Sequence, residues 1–436
     1  MNRPATRAWI VEALSRYWPK DRAAIEALPI PEAPQTSSTL ADLHEVRLPD
    51  WAADCGIAGM ILIPALALAT APNGTAKDEQ WRATDWWAAA TWYLSGAAER
   101  AHEDAQGPIH SYSYRLGPLD ARAFDHAWVN RIALFLRRWG AQNTNRDETE
   151  LLGPRPVGRI QLTHDVDALG KTIAIRFKQS AFRSFRALRL SLRGELQRAR
   201  SVAASAAAFA FGAGTYDRVS EVAKADEAEG HRGLFFIHAR RRFRGPVDAL
   251  LDPGYHLNTP GFGEKLRDLI ARGHQIGVHP SYSSWNDGPR LAEERAAVSR
   301  LVGGEVIACR QHWMRFSWAH TWTRQEGAGF TLDSTLGVND RPGFRVSAAL
   351  RHHPWNPREG AAHRLEVLPL IVMDSHLYDY AELDPSARGV RLRHFIDEVR
   401  AVGGEAAILW HPHTLSTDYG WQSGFEEMLQ VVGQPA

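Results

Sequence analysis

Six positions in this chain carry side chains suited to acid–base or metal chemistry, and they share one sequence setting. Asp165 and Asp167 close the run Arg159-Ile160-Gln161-Leu162-Thr163-His164-Asp165-Val166-Asp167. His279 follows Gln275–Val278, Arg310 follows Glu305–Cys309, Asp333 follows Phe330–Leu332, and His411 follows Ala406–Trp410. Each stands at the C-terminal end of a short apolar run that reads as a strand. Residues two apart on a strand share a face, so Asp165 and Asp167 point the same way. Two carboxylates that close repel each other unless a cation or a shared proton relieves them. One solution gives one carboxylate to a metal and leaves the other as a general base. The plainer alternative is a helix N-terminus, where Asp caps free N–H groups.

The elements that must hold these residues alternate in type. Helical spacing over Gly261–Arg272, Leu291–Leu301 and Val390–Val402 separates the strand-like runs, to which Leu234–His238 and Leu365–Leu370 are added. Alternating strands and helices imply a parallel sheet with right-handed crossovers. Polar residues at one strand end after another imply a (β/α) barrel, whose C-terminal face carries the chemistry. The expected class is therefore α/β.

Residues 1–150 read as a smaller α+β accessory domain ahead of the barrel, with the polar stretch Asn143–Pro156 as the boundary and the barrel over 157–436. The first domain begins with a helix over Trp9–Trp18 and a linker over Pro29–Ser38. Cys55–Pro72 is uncharged, but Gly56, Gly59 and Pro64 interrupt it, so a buried strand over Gly59–Ile63 is expected rather than a membrane span. Helices follow over Asp85–Ala98 and Phe124–Gly140. Inside the barrel, an insertion over about 168–230 holds nine Lys and Arg between Lys171 and Arg200 against the single acid Glu195. Phe182, Phe185, Leu188, Leu192 and Leu196 recur there at helical spacing. The expectation is a basic amphipathic helix. It either makes peripheral contact with an anionic membrane or glycan carrier, or packs on the barrel with a solvated basic face.

Composition excludes other classes. A net charge of +1 over 436 residues gives no global field for nucleic acid. Two cysteines, Cys55 and Cys309, supply neither a disulfide framework nor a cysteine zinc site. The N-terminus shows no secretory h-region, so a cytoplasmic, at most membrane-peripheral, location is expected. Sixteen Trp suit sugar rings as well as cores.

Taken in order, the motifs resemble the polysaccharide deacetylase family, also called the NodB-homology or carbohydrate esterase family 4 enzymes. Thr163-His164-Asp165-Val166-Asp167 resembles its first motif. Gly273-His274-Gln275-Ile276-Gly277-Val278-His279 resembles the opening of the second. Arg310 stands in the place of the third motif's Arg, and Leu409-Trp410-His411-Pro412-His413 resembles the last. The resemblance covers residues 159 to about 415 and implies a distorted (β/α) barrel of the NodB-homology type. It implies a metal-dependent deacetylase acting on an acetylated glycan or lipid-linked sugar. Asp165 would be the general base, Arg310 its orienting partner and His411 the general acid. Asp167 and His279 would hold a divalent metal, zinc first, with cobalt, nickel or manganese as alternatives. The alternative is a non-catalytic carbohydrate-binding relative that keeps the fold and has lost its metal, as Ser283 suggests.

One departure bears on the metal. The family's second motif brings two His, four residues apart, whereas His279-Pro280-Ser281-Tyr282-Ser283 places Ser283 at the second position. A neutral hydroxyl is a poor zinc ligand. Either Ser283 completes the set, or His413 or His164 replaces it, or two side chains and water suffice, or the site is dead. Tyr282, Trp313, Arg315 and Asp333 are the expected substrate groups. Trp313 would stack on a sugar, Arg315 would meet an anion, and Asp333 would close the pocket floor, unless it caps a turn.

Overall fold

The computed structural model describes residues 3–33, 42–68, 77–117, 119–212, 214–239, 245–252, 254–381 and 383–434. Twelve strands are present among them. An antiparallel hairpin, β1 (Leu43–Arg47) and β2 (Met60–Pro64), belongs to the N-terminal segment. The parallel strands are β3 (Arg159–Val166), β4 (Leu234–His238), β5 (Gln275–His279), β6 (Ala308–Cys309) and β7 (Leu332–Asp333). After a small side hairpin of β8 (Trp355–Asn356) and β9 (Ala361–Ala362) come β10 (Glu366–Val367), β11 (Leu370–Met373) and β12 (Glu405–Leu409). β4 is buried along its whole length, as a strand covered on both faces must be.

The eight parallel strands lie in the order β10-β7-β6-β5-β4-β3-β12-β11. β10 and β11 are the two ends of that order, yet only Leu368 and Pro369 separate them in sequence. That link spans about 11 Å at most, so the ends of the sheet must meet. The link bonds to both sides: Leu368 N–H donates to Asp333 O of β7, and Ala407 N–H of β12 donates to Pro369 O, each at 2.8 Å. The sheet is thus curled into a distorted (β/α) barrel with a seam at Leu368-Pro369. The single strand expected over Leu365–Leu370 is therefore two strands. Pro369 has no N–H to continue a ladder, and the chain crosses the seam there.

The N-terminal segment shares its core with the barrel. One buried apolar cluster runs from Trp9 to Val432. Tyr17 Oη donates to Val402 O at 2.8 Å, Arg131 pairs with Glu398 at 2.5 Å, and Arg345 pairs with Glu99 at 2.7 Å. The first helix spans Arg3–Ala13, followed by a single 3-10 turn at Ser15–Tyr17, in place of one helix over Trp9–Trp18. The tryptophans are largely core: Trp51, Trp81, Trp86 and Trp139 pack around Phe135. Part of the linker Pro29–Ser38, and the end of the stretch Cys55–Pro72, lie outside the described residues.

The basic insertion folds as two packed helices, Ile173–Leu192 and Leu196–Phe211, rather than one. Gly194, at φ +79°, makes the turn between them. Lys171 pairs with Asp418 at 2.8 Å, and Arg183 donates to Asp418 O at 3.1 Å, tying the hairpin to the barrel. No helix of the described residues is long and apolar enough to cross a membrane.

Candidate metal and acid–base centre

The C-terminal ends of β3, β5, β6, β11 and β12 meet in one cleft of about 770 Å³, lined by Asp165, Asp167, His279, His312, Asp374 and His411 among others. A cavity of about 820 Å³ between the first helix and the β8–β9 hairpin holds none of the motif residues.

Arg310 is fully buried and fixed by four bonds. Its Nη1 donates to Asp165 Oδ1 and Thr163 Oγ1, both at 2.9 Å. Its Nε donates to Ser334 O at 3.0 Å and its Nη2 to Ser334 Oγ at 2.8 Å. Burial alone would raise the Asp165 pKa, but the charge and hydrogen bond of Arg310 hold it below the usual range. Asp165 is thus a buried ionised carboxylate. Asp167 lies just past the end of β3, its N–H bonded to Asp165 O at 3.1 Å.

Two histidines face Asp167. His279 Nδ1 lies 2.6 Å from Arg310 O, and His312 Nε2 lies 2.9 Å from Leu251 O. A carbonyl only accepts, so these ring nitrogens carry the hydrogens, and in the neutral rings His279 Nε2 and His312 Nδ1 are the acceptor nitrogens, turned toward each other. Those two atoms are 2.9 Å apart, and Asp167 Oδ1 is 3.4 Å from the first and 3.7 Å from the second. Two lone pairs that close repel unless a cation or an added proton lies between them. Donors about 2.0–2.2 Å from a tetrahedral zinc stand about 3.3–3.6 Å apart, and the three edges here bracket that spacing. Metal-binding histidines characteristically anchor the other ring nitrogen on a carbonyl, as both do. Asp167, His279 and His312 therefore fit a divalent cation.

Ser283 is not in this set. Its Oγ donates to Asp248 Oδ1 at 2.6 Å, and Arg290 pairs with the other Asp248 oxygen at 2.8 Å. Asp248 belongs to the segment that carries the Leu251 carbonyl, so Ser283 helps hold the strap that orients His312. His413 packs on Tyr216 and Tyr419, and burial pushes its pKa down to about 3. His164 is spent on Trp410 O and Asp226, both at 2.9 Å. Neither His413 nor His164 joins the set.

His411 is backed by Asp374, which directly follows β11. Nδ1 meets Asp374 Oδ1 at 2.8 Å, and the His411 backbone N–H donates to Asp374 Oδ2 at 2.9 Å. Burial works against the imidazolium, but the Asp374 charge and hydrogen bond, then Asp167 and Asp165, raise the His411 pKa to about 10. Its Nε2 stands 3.6 Å from Asp167 Oδ2. Sequence reasoning missed Asp374 and gave His312 no ligand role. Asp374 follows the rule of an acid past a strand end, once the strand is placed correctly.

The expected substrate groups divide. Trp313 lines the cleft. Arg315 lies over the rings of Tyr282 and Trp285, at 4.2 and 5.3 Å, with Nη2 3.1 Å from His110 Nε2, and none of these four lines the cleft. Asp333 is fully buried and bonded to Trp322, Gln325 and Thr335, so it caps the turn after β7 instead of closing a pocket floor. Trp318 and Trp322 are also buried. The N-terminal segment reaches this end of the barrel: Ser111 Oγ donates to Met314 O at 2.6 Å, two residues past His312.

No family model and no curated protein matches the chain. Solved structures are similar at low identity. A protein from Mycobacterium smegmatis described as a candidate polysaccharide deacetylase is 17% identical, with a TM-score of 0.38, over 64% of this chain and 87% of its own. An allantoinase is 15% identical, with a TM-score of 0.35, over 65% of this chain and 90% of its own. A mutant of a carbohydrate esterase family 4 pseudoenzyme with restored activity is 10% identical, with a TM-score of 0.27, over 66% of this chain and 76% of its own.

Proposed function

We propose that this protein is a metal-dependent hydrolase that removes an N-acetyl or O-acetyl group from a glycan or glycan precursor, in bacterial cell-surface polysaccharide metabolism. The observation that carries the reading is the pairing of a three-donor set, Asp167, His279 and His312, with a buried base on one side and an aspartate-backed imidazole on the other. When bound, a divalent cation, zinc first, supplies Lewis acidity, which makes water a nucleophile at neutral pH and polarises a carbonyl. Asp165, kept ionised by Arg310, accepts the proton of the attacking water. Asp374 orients His411 and holds its proton, and His411 delivers that proton to the leaving nitrogen or oxygen. Trp313 offers a flat face for a sugar ring.

A non-catalytic carbohydrate-binding role draws its support from Ser283; the hydrolase reading is supported instead by His312, whose Nδ1 lies 2.9 Å from His279 Nε2. The reading includes a cytoplasmic location, supported by two cysteines that are buried free thiols. The test is acetate release from a panel of acetylated amino sugars and glycan precursors, with zinc, cobalt, nickel or manganese supplied. Release that Asp165→Asn abolishes is expected. No release from any substrate, by protein shown to hold a stoichiometric metal, would overturn the reading.

A further inference from the structure

The helical hairpin that rims the cleft carries a surface the hydrolase chemistry does not use. On the helix Ile173–Leu192, Phe177, Phe185, Leu188 and Leu192 are 74, 60, 56 and 80% exposed. At 100° per residue they fall within an arc of about 80°. Arg189, Arg193 and Arg186 take up the next arc, about 60° wide, and all three line the cleft. Phe182 and Phe185 line it too, so the apolar stripe runs from open solvent into the wall of the site. Between Lys171 and Arg200, nine cationic residues stand against one acid, a net charge of +8.

We propose that this face docks the protein on an anionic lipid bilayer, with the mouth of the cleft at the interface. An exposed apolar stripe bordered by arginines is the pattern of an interfacial helix, whose apolar side enters the acyl boundary while its cations meet headgroups. A second copy of the chain is a poor occupant, because it would set one +8 segment against another. Continuity of the stripe with the cleft gives the docking a purpose. A substrate anchored in the membrane would reach Asp165 and His411 along Phe182 and Phe185, with Arg186, Arg189 and Arg193 at the level of its anionic groups. The docking itself needs neither a bound metal nor turnover, so it stands or falls apart from the hydrolase reading.

The test is co-sedimentation of the full chain with vesicles of phosphatidylcholine alone and of equimolar phosphatidylcholine and phosphatidylglycerol. Binding to the anionic vesicles is expected, weakened by salt, with little binding to the neutral ones. Leu188→Glu/Leu192→Glu changes two exposed side chains that do not line the cleft, and unchanged circular dichroism confirms its fold. It should lose at least tenfold in vesicle affinity, while Asp167→Ala should bind as the wild type does. The proposal is overturned if the wild-type protein ignores anionic vesicles, or if the double variant binds them equally well. It is also overturned if the stripe instead drives self-association in the absence of lipid that the double variant abolishes.

Discussion

Replacing His312 with Ala, beside Ser283→Ala, separates the two ways of completing the donor set. In the structure His312 Nδ1 is 2.9 Å from His279 Nε2 and 3.7 Å from Asp167 Oδ1, while the Ser283 hydroxyl is committed to Asp248. Removing His312 leaves one imidazole and one carboxylate. Loss of a group that merely orients a metal ligand costs about 10–100-fold in affinity, so loss of the ligand itself should cost at least the upper end, roughly 100-fold or more. It also takes from the part-buried Leu251 O its His312 donor, at about 1 kcal/mol of stability. Ser283→Ala removes one part-buried hydrogen bond and should cost at most about 1 kcal/mol of stability and well under tenfold in affinity. The assay is metal affinity by chelator competition, with elemental analysis for stoichiometry and urea midpoints for stability. If Ser283→Ala loses the metal while His312→Ala keeps it, the donor assignment is wrong, and so is the tautomer argument behind it.

Asp374→Asn removes the charge behind His411 without altering size. The His411 pKa, raised to about 10 in the native protein, should fall, so the alkaline limb of the kcat profile moves to lower pH while metal stoichiometry stays unchanged; an unmoved limb would deny His411 the acid's role. Glu398 anchors the N-terminal segment to the barrel through Arg131 and His126, and, against burial, these partners lower its pKa to about 2. A depressed carboxylate pKa contributes stability that is complete above the unfolded value near 4.5 and fades as pH falls toward 2. Glu398→Gln should therefore cost about 3–5 kcal/mol at pH 7 and progressively less below about pH 4.5, as read from denaturant unfolding at both ends. An equal deficit at pH 7 and in strong acid would mean that the ion pair is not its source.

Much of this was legible in the chain because the signals are local. An apolar run followed by Asp, His or Arg is a strand with its functional end marked, and β3, β4, β5 and β12 lie within a residue or so of where periodicity puts them. Four of the cleft residues, Asp165, Asp167, His279 and His411, were found this way, and Arg310 with them. The basic hairpin was visible as charge and spacing, although its break at Gly194 was not. Errors arose where an element's meaning depends on a remote partner. Leu365–Leu370 reads as one strand, and only closure of the sheet shows that Pro369 sits on the seam. Misplacing that strand hid Asp374. Asp333 has the same local signature as the residues that line the cleft, but Trp322, Gln325 and Thr335 surround it and take it out of the cleft.

The sequence by itself determined which residue types stand at strand ends, and hence an α/β barrel with an acid pair and imidazoles on one rim. Periodicity and strand chemistry are properties of neighbours along the chain. Tertiary structure alone decided that His312, not Ser283, faces His279. That choice depends on a turn with Trp313 and Met314 at positive φ, 57° and 45°, and on two carbonyls, Arg310 O and Leu251 O, that fix which ring nitrogens carry hydrogens. A pattern in sequence can name a histidine; only the folded chain can turn its lone pair toward another.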